Sequence, residues 1–289
     1  MSIDNFKPVI WSAKLLKNLN DAHVFVSCFN TDYEGEIKNQ GDSVRINSIG
    51  RITTKTYTNN AGLGAVSAID APEIIDDATM VLQITERDYF NFGISDVDAY
   101  QIKPKLMDAA MMEAGWSMSD ASDEFGATTL NAGVATANQL TAATSVGTGA
   151  TDDDAYEILV DLNVKLTENS VPRDSRWVVV PPWFHGMLLK DPRFVSYGTA
   201  ENIARLKNGL VGRAAGLEIK ESNNVPVNGL AYTLIAGHTL AATFAQQIDK
   251  VDAFQPHNGF SDAMKGLHLY GAKVTRPYAL ASIACTQAT

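Results

Sequence analysis

Between Asp98 and about Leu130 the chain carries one helical pattern without a break, and few small folds can house a helix of that length. The pattern predicts a helix that starts within Asp98–Lys103, with Ser95-Asp96 offering a cap and Pro104 fitting only near the first turn. Met107, Ala110, Ala114, Ser117, Ala121, Phe125 and Thr128 recur at three- and four-residue steps. Roughly 28 residues at about 1.5 Å each make a rod of about 42 Å. The stripe is mostly small, so a sheet or helix can approach it closely. Such a rod is expected to serve as a structural beam.

The segment before the beam has the opposite character. Residues 31–70 are rich in Thr, Ser, Asn and Gly. Val44 and Ile46 alternate with polar residues, and after Ser48-Ile49-Gly50 the alternation resumes at Ile52, Thr54 and Thr56. This reads as a β-hairpin with too few apolar residues to close a core. Two strands alone are marginal in water, so the hairpin needs a partner surface. "ATMVLQITERDYFNFGI" then reads as one strand with aromatics at its end.

Elsewhere the elements interleave. Trp11, Leu15, Leu16 and Leu19 share a helical face near the start, and "HVFVSCF" reads as a strand. "NAGVATANQLTAATSVGTGA" is a low-complexity linker or irregular strand. Thr151-Asp152-Asp153-Asp154 caps a helix with Ala155, Ile158, Leu159, Leu162 and Leu166 inward. "SRWVVVPP" is a buried strand closed by prolines, and "PPWFHGMLLKDPRF" restarts as a short helix. "AYTLIAGH" reads as a strand, "TLAATFAQQI" as a short helix and "QIDKVDAF" as a strand. "LHLYGAKVTRPYALASIAC" reads as a terminal strand pair broken at Arg276-Pro277. Without a steady βαβ rhythm, the fold class is α+β.

Chemistry is conspicuous by its lack of motifs. Gly209, Gly212 and Gly216 punctuate "NGLVGRAAGLEIKESNNVP", but no Gly-Lys-Ser/Thr follows and the next element is a strand, Leu217–Glu221. These glycines shape backbone and hold no phosphate. The histidines His23, His185, His238, His257 and His268 lack zinc-ligand spacing, so no metal or cofactor is expected. No nucleophile elbow occurs. Cys28 and Cys285 read as buried small hydrophobes rather than a disulfide framework. The net charge of −10 argues against a dedicated nucleic-acid reader, and no apolar run is long enough for a membrane helix.

The order of parts carries more information than any single motif. A short arm, "YEGEI" and "GDSVRI" opening a hairpin, a strand, a beam helix, then a mixed domain with "RWVVVPPWFHGMLLKDPRF" and the glycine segment resemble the major capsid proteins of tailed bacteriophages, with the Hong Kong 97-type fold. The resemblance covers nearly the whole chain. It implies an N-arm at 1–30, an extended loop at 31–75, a peripheral domain with a spine helix at 76–135 and 262–289, and an axial domain at 136–261.

It further implies a structural protein rather than an enzyme, assembling through pentamers and hexamers into an icosahedral head shell around DNA, without sequence-specific binding. The expected place is the virion, after assembly in the host bacterial cytoplasm. The implied loop contacts to a neighbouring subunit are Arg45, Ser48, Ile49, Gly50, Arg51 and Lys55. Spine packing falls to Met107, Ala110, Ala114, Ala121 and Phe125, and the axial turn to Gly209, Gly212 and Gly216. Only about 30 residues precede the hairpin, so the resemblance implies a separate scaffolding protein or none; the family's other partners are a portal and decoration proteins. Two other readings remain at this level: the shell of a bacterial nanocompartment, which shares the fold, and a cytosolic α+β enzyme.

Overall fold

The computed structural model describes residues 24–32, 43–49, 77–95, 106–147, 149, 152–191, 212–257 and 261–288. The N-terminal helical face at Trp11–Leu19, the return strand at Ile52–Thr56 and Asp96 of the expected cap lie outside them, while Ser95 is the last residue of a strand. Three sheets and three helices organise the described residues.

The first sheet is a ribbon. β1 (Ser43–Ile49) pairs antiparallel with β2 (Asp77–Gln83), Ser43 opposite Gln83 and Ile49 opposite Asp77. The stretch 78–94, read as one strand, is two, because the chain leaves the ribbon at Ile84-Thr85 and starts β3 (Glu86–Ser95) in another sheet. Gly271 marks the junction. A Cβ there would stand 3.0 Å from the Ile84 Cα, so only glycine lets the backbones pass this closely.

The second sheet has the order β10-β11-β3, all antiparallel, with β10 spanning Ala242–Phe254 and β11 Ser261–Val274. α1 (Leu106–Gly133) packs on it through a cluster of Met111, Val251, Met264, Phe90 and Phe92. The expected helix at "TLAATFAQQI" is instead a 3-10 turn, Thr239–Ala241, running straight into β10. Ladder pairing along β11 outweighs the helical propensity of Ala and Gln there.

The third sheet has seven strands. Its order is β4-β12-β9-β5-β7-β6, with β8 paired to β9. These are β4 (Ala143–Val146), β5 (Arg176–Val180), β6 (Arg213–Ala214), β7 (Leu217–Glu221), β8 (Val227–Asn228), β9 (Ala231–His238) and β12 (Leu280–Gln287). α2 (Ala155–Glu168) buries Ala155, Ile158, Leu159, Leu162 and Leu166, as its spacing predicts, and Asp154 caps it by accepting the Tyr156 N–H at 3.0 Å. α3 (Pro182–Lys190) starts on its proline and buries Phe184 and Leu188.

Strand membership does not follow the expected division at 261/262. β10, placed by sequence in the axial part, pairs along its length with β11. β12, placed in the peripheral part, sits between β4 and β9 of the large sheet. The terminal strands β11 and β12 are therefore no pair; each belongs to its own sheet. Two adjacent crossovers join the sheets, one through 239–241 and one through Pro277–Ala279, and the N–H groups of Thr275 and Arg276 both donate to the Ala241 carbonyl at 2.9 Å.

"HVFVSCF" is a 3-10 turn, Val26–Cys28, rather than a strand. Phe25, Val26, Cys28 and Phe29 enter the main core beside α1, α2 and β9. Asn30 then bridges to Thr243 on β10.

Candidate functional site

The expected stripe of α1 is displaced. Ala110, Ala114, Ala121 and Phe125 are half-buried, while the buried face carries Met111, Gly115, Met118, Ser119, Ser122, Asp123, Gly126, Ala127 and Leu130. Both sets are small, so composition alone gives little contrast between faces. Met107 has no described side chain. Phe125 meets Tyr270 edge-on at 5.4 Å between centroids. Ala114, Ser117, Met118 and Ala121 line an open groove of about 320 Å³ with Arg87, Asp88, Tyr89 and Phe90 of β3.

The loop residues fall at the limit of the described chain. Arg45, Ser48 and Ile49 stand in β1 opposite Val81, Ala78 and Asp77, with backbone alone described. Gly50, Arg51 and Lys55 lie outside the described residues, as does Gly209. The ribbon rests on the second sheet near its Gln83 end, where Met80, Leu82 and Ile84 pack with Ala245, Leu267 and Leu269.

The glycine segment is a turn. Ala215 (φ 50°) and Gly216 (φ 80°) connect Ala214 to Leu217, the positive-φ pair that a two-residue hairpin turn requires. Gly212 (φ 30°) precedes β6, and its carbonyl accepts the Ile219 N–H at 3.0 Å.

Buried polar groups fasten the parts together. Asp123 accepts the N–H groups of Val24 and Val26, each at 3.0 Å. Burial pushes its carboxyl up, and the backbone N–H donors partly oppose this. Arg176 is buried, and among the described residues no carboxylate pairs with it. Its guanidinium donates to the carbonyls of Val171 (2.6 Å) and Pro172 (2.8 Å), to Thr167 Oγ1 (2.8 Å), and to the Asn163 carbonyl and side-chain oxygen. Burial lowers its pKa. Cys28 and Cys285 are free and buried, and burial pushes both thiols up to about 12, which makes them inert. Among the described residues no His, Cys, Asp and Glu groups assemble as a metal site.

Among the described residues several large apolar side chains stand exposed. Met112 (61% exposed) and Trp116 (60%) stand one turn apart on α1, Tyr89 of β3 is 77% exposed, and Leu230 in the β8–β9 turn is 85% exposed. Neighbouring exposed apolar side chains such as Met112 and Trp116 mark a contact surface, whereas single ones do not. The outward Trp116, four residues after Met112 and off the expected stripe, was the signal available in the sequence.

A subunit whose two larger sheets are spanned by one long helix, with several large apolar side chains exposed and no assembled reaction centre among the described residues, defines a building block. The model of the phage capsid protein family matches residues 78–283, more than half of the chain, and the chain belongs to that family. A solved structure from Mycobacterium phage Che8 is similar at 28% identity, with 90% of each chain covered and a TM-score of 0.67. The capsid structure of the cyanophage P-SCSP1u is similar at 16% identity, with 93% of this chain and 89% of that one covered and a TM-score of 0.69. A holo-SrpI encapsulin complex from Synechococcus elongatus is similar at 10% identity, with 86% and 83% covered and a TM-score of 0.54, a likeness of fold alone. No curated protein sequence matches.

The protein is thus a structural major capsid protein of the tailed-phage type with the Hong Kong 97-type α+β fold. It self-assembles into a shell, and its place is the virion.

Proposed function

We propose that the shell is icosahedral, built through pentamers and hexamers, and that residues 31–75 form the extended loop by which each subunit holds its neighbour. The observation that carries this reading is the β1–β2 ribbon: two strands paired to each other, resting on their own subunit near one end. Two strands do not stabilise themselves, so the far part needs another surface. Arg45, Ser48, Ile49, Gly50, Arg51 and Lys55 supply that contact, and the cations pair with an otherwise acidic neighbour.

In this reading residues 1–30 are the N-arm. The peripheral domain is built on 76–135 together with β10 and β11, and the axial domain on the seven-stranded sheet with α2, α3 and β12. Ala110, Ala114, Ala121 and Phe125 flank the spine contact, while the Gly212 and Gly216 turn shapes the axial part. The protein has no enzymatic activity. It encloses DNA without reading sequence, works with a separate scaffolding protein, a portal and decoration proteins, and assembles in the host cytoplasm.

Arg51→Glu tests the loop. Electron microscopy should show shells or capsomers for the parent chain expressed with its scaffold, and loss of both for the variant, with the thermal unfolding of the isolated subunit unchanged. A variant that loses subunit stability instead places the loop inside its own domain and removes the contact role.

A further inference from the structure

His268 is fully buried on β11. Alternation along the strand places Met264, His268 and Tyr270 on one face. Met264 shares a cluster with Met111 of α1, and Tyr270 meets Phe125 of α1 edge-on. His268 therefore lies between these two fastening points, over the stretch of α1 whose buried positions are Gly115, Met118, Ser119 and Ser122.

The surroundings of the ring are specific. Its Nε2 stands 3.3 Å from Gln246 Oε1 of β10, and its Nδ1 has no hydrogen-bond partner among the described residues. The imidazole and the Tyr270 ring are 4.9 Å apart. The Tyr270 hydroxyl donates to Asp88 Oδ2 at 2.6 Å. Asp88 is the β3 residue directly opposite His268 in the ladder, and it also lines the groove between β3 and α1. The charges that act on this pair are all negative: Asp88 on His268, and Asp88 and Glu86 of β3 with Glu124 of α1 on Tyr270. β10 contributes the neutral Gln246.

We propose that His268, Asp88 and Tyr270 form a proton-operated latch that fastens α1 to the three-stranded sheet. The proposal stands independently of the assembly reading above. With the imidazole neutral, Asp88 holds Tyr270, and Tyr270 holds Phe125. A proton taken from solvent makes the ring a cation with two N–H donors, and Nδ1 has no acceptor in the closed arrangement. Asp88 is the carboxylate across the ladder, so it turns from the tyrosine to the imidazolium. Tyr270 keeps its own proton but loses its acceptor, and the edge contact to Phe125 slackens. Burial holds His268 at about 4 in the closed state, against an ordinary value of 6.5. The closed state is therefore favoured at neutral pH and loses that preference as pH falls from 6.5 toward about 4.

Hydrogen exchange of the full chain, read over peptides within 106–133 and corrected for intrinsic rates, tests this between pH 7.5 and 4.5. The expected result is a reversible loss of α1 protection of about tenfold or more, in step with His268 protonation read by NMR of labelled histidine. His268→Gln should flatten that response. Tyr270→Phe frees Asp88 and should move the midpoint to higher pH. An undiminished response in His268→Gln overturns the proposal, and so does a Tyr270→Phe midpoint that does not move. Should His268→Gln fail to fold, the parent chain still decides: a His268 ring that titrates while α1 protection stays constant overturns the latch.

Discussion

Asp123 of α1 accepts the backbone N–H of Val26 at 3.0 Å across 97 residues of sequence, and the same oxygen accepts that of Val24. One carboxylate thus fixes where the N-terminal segment joins the core. Asp123→Ala strands two donors, at about 1–3 kcal/mol each when buried. The urea midpoint of the unassembled subunit should fall accordingly, and limited proteolysis near residues 24–30 should quicken. Asp123→Asn, which keeps an acceptor oxygen, should lose less. Equal stability of parent and Asp123→Ala would show that the segment is held by its phenylalanines alone.

Arg176→Lys should be far from conservative. The guanidinium reaches Val171, Pro172, Thr167 and Asn163 at once, and an ammonium has three donors and no planar fork. Acceptors at the end of α2 would go unpaired, for an expected loss of about 2–4 kcal/mol. Chemical denaturation measures this directly, and a loss under about 0.5 kcal/mol would refute the role.

The register of α1 can be tested by size. Ser122 is fully buried, and its hydroxyl donates to the Ser119 carbonyl at 2.9 Å. Ser122→Leu should cost about 1–3 kcal/mol from overpacking. Ala121→Trp points an indole at a groove of about 320 Å³ and should change subunit stability by less than about 1 kcal/mol. Differential scanning calorimetry of the two variants should rank them in that order; the reverse order would return the buried face to the stripe expected from sequence.

Acid should weaken the unassembled subunit through His268. Its folded-state pKa of about 4 lies below the ordinary 6.5, so its contribution is complete above 6.5 and drains away as pH falls through about 4. The full effect is about 3 kcal/mol, since one unit corresponds to about 1.4. The unfolding free energy of parent and His268→Gln should converge as pH drops across that window. Curves that stay parallel from pH 7 to 4 would rule the contribution out.

Helices with strong contrast were legible in the sequence. α2 showed its five inward residues and its Asp154 cap because Leu and Ile alternate with charge. α1 lacked that contrast: Ala, Ser, Gly and Met lie on several faces, so its length was readable and its buried face was one step off. Strand pairing was hidden, since no local pattern says that β10 joins β11 and β3 while β12 joins β4 and β9. Asp123, Arg176 and His268 were also hidden. A single charge or imidazole in a mixed segment looks the same whether it faces water or a ring of carbonyls.

The meeting of the two crossovers at Ala241 has a mechanical consequence. Each sheet hands a strand to the other, and the two crossovers are tied together at the Ala241 carbonyl. Gly133 sits against Val274 beside that point, with no room for a side chain between them. α1 therefore ends where the stitch begins, and it packs against strands of both sheets. A rod braced this way acts as a splint. A turn of one sheet against the other would have to break helix contacts on both sides as well as the two hydrogen bonds at Ala241.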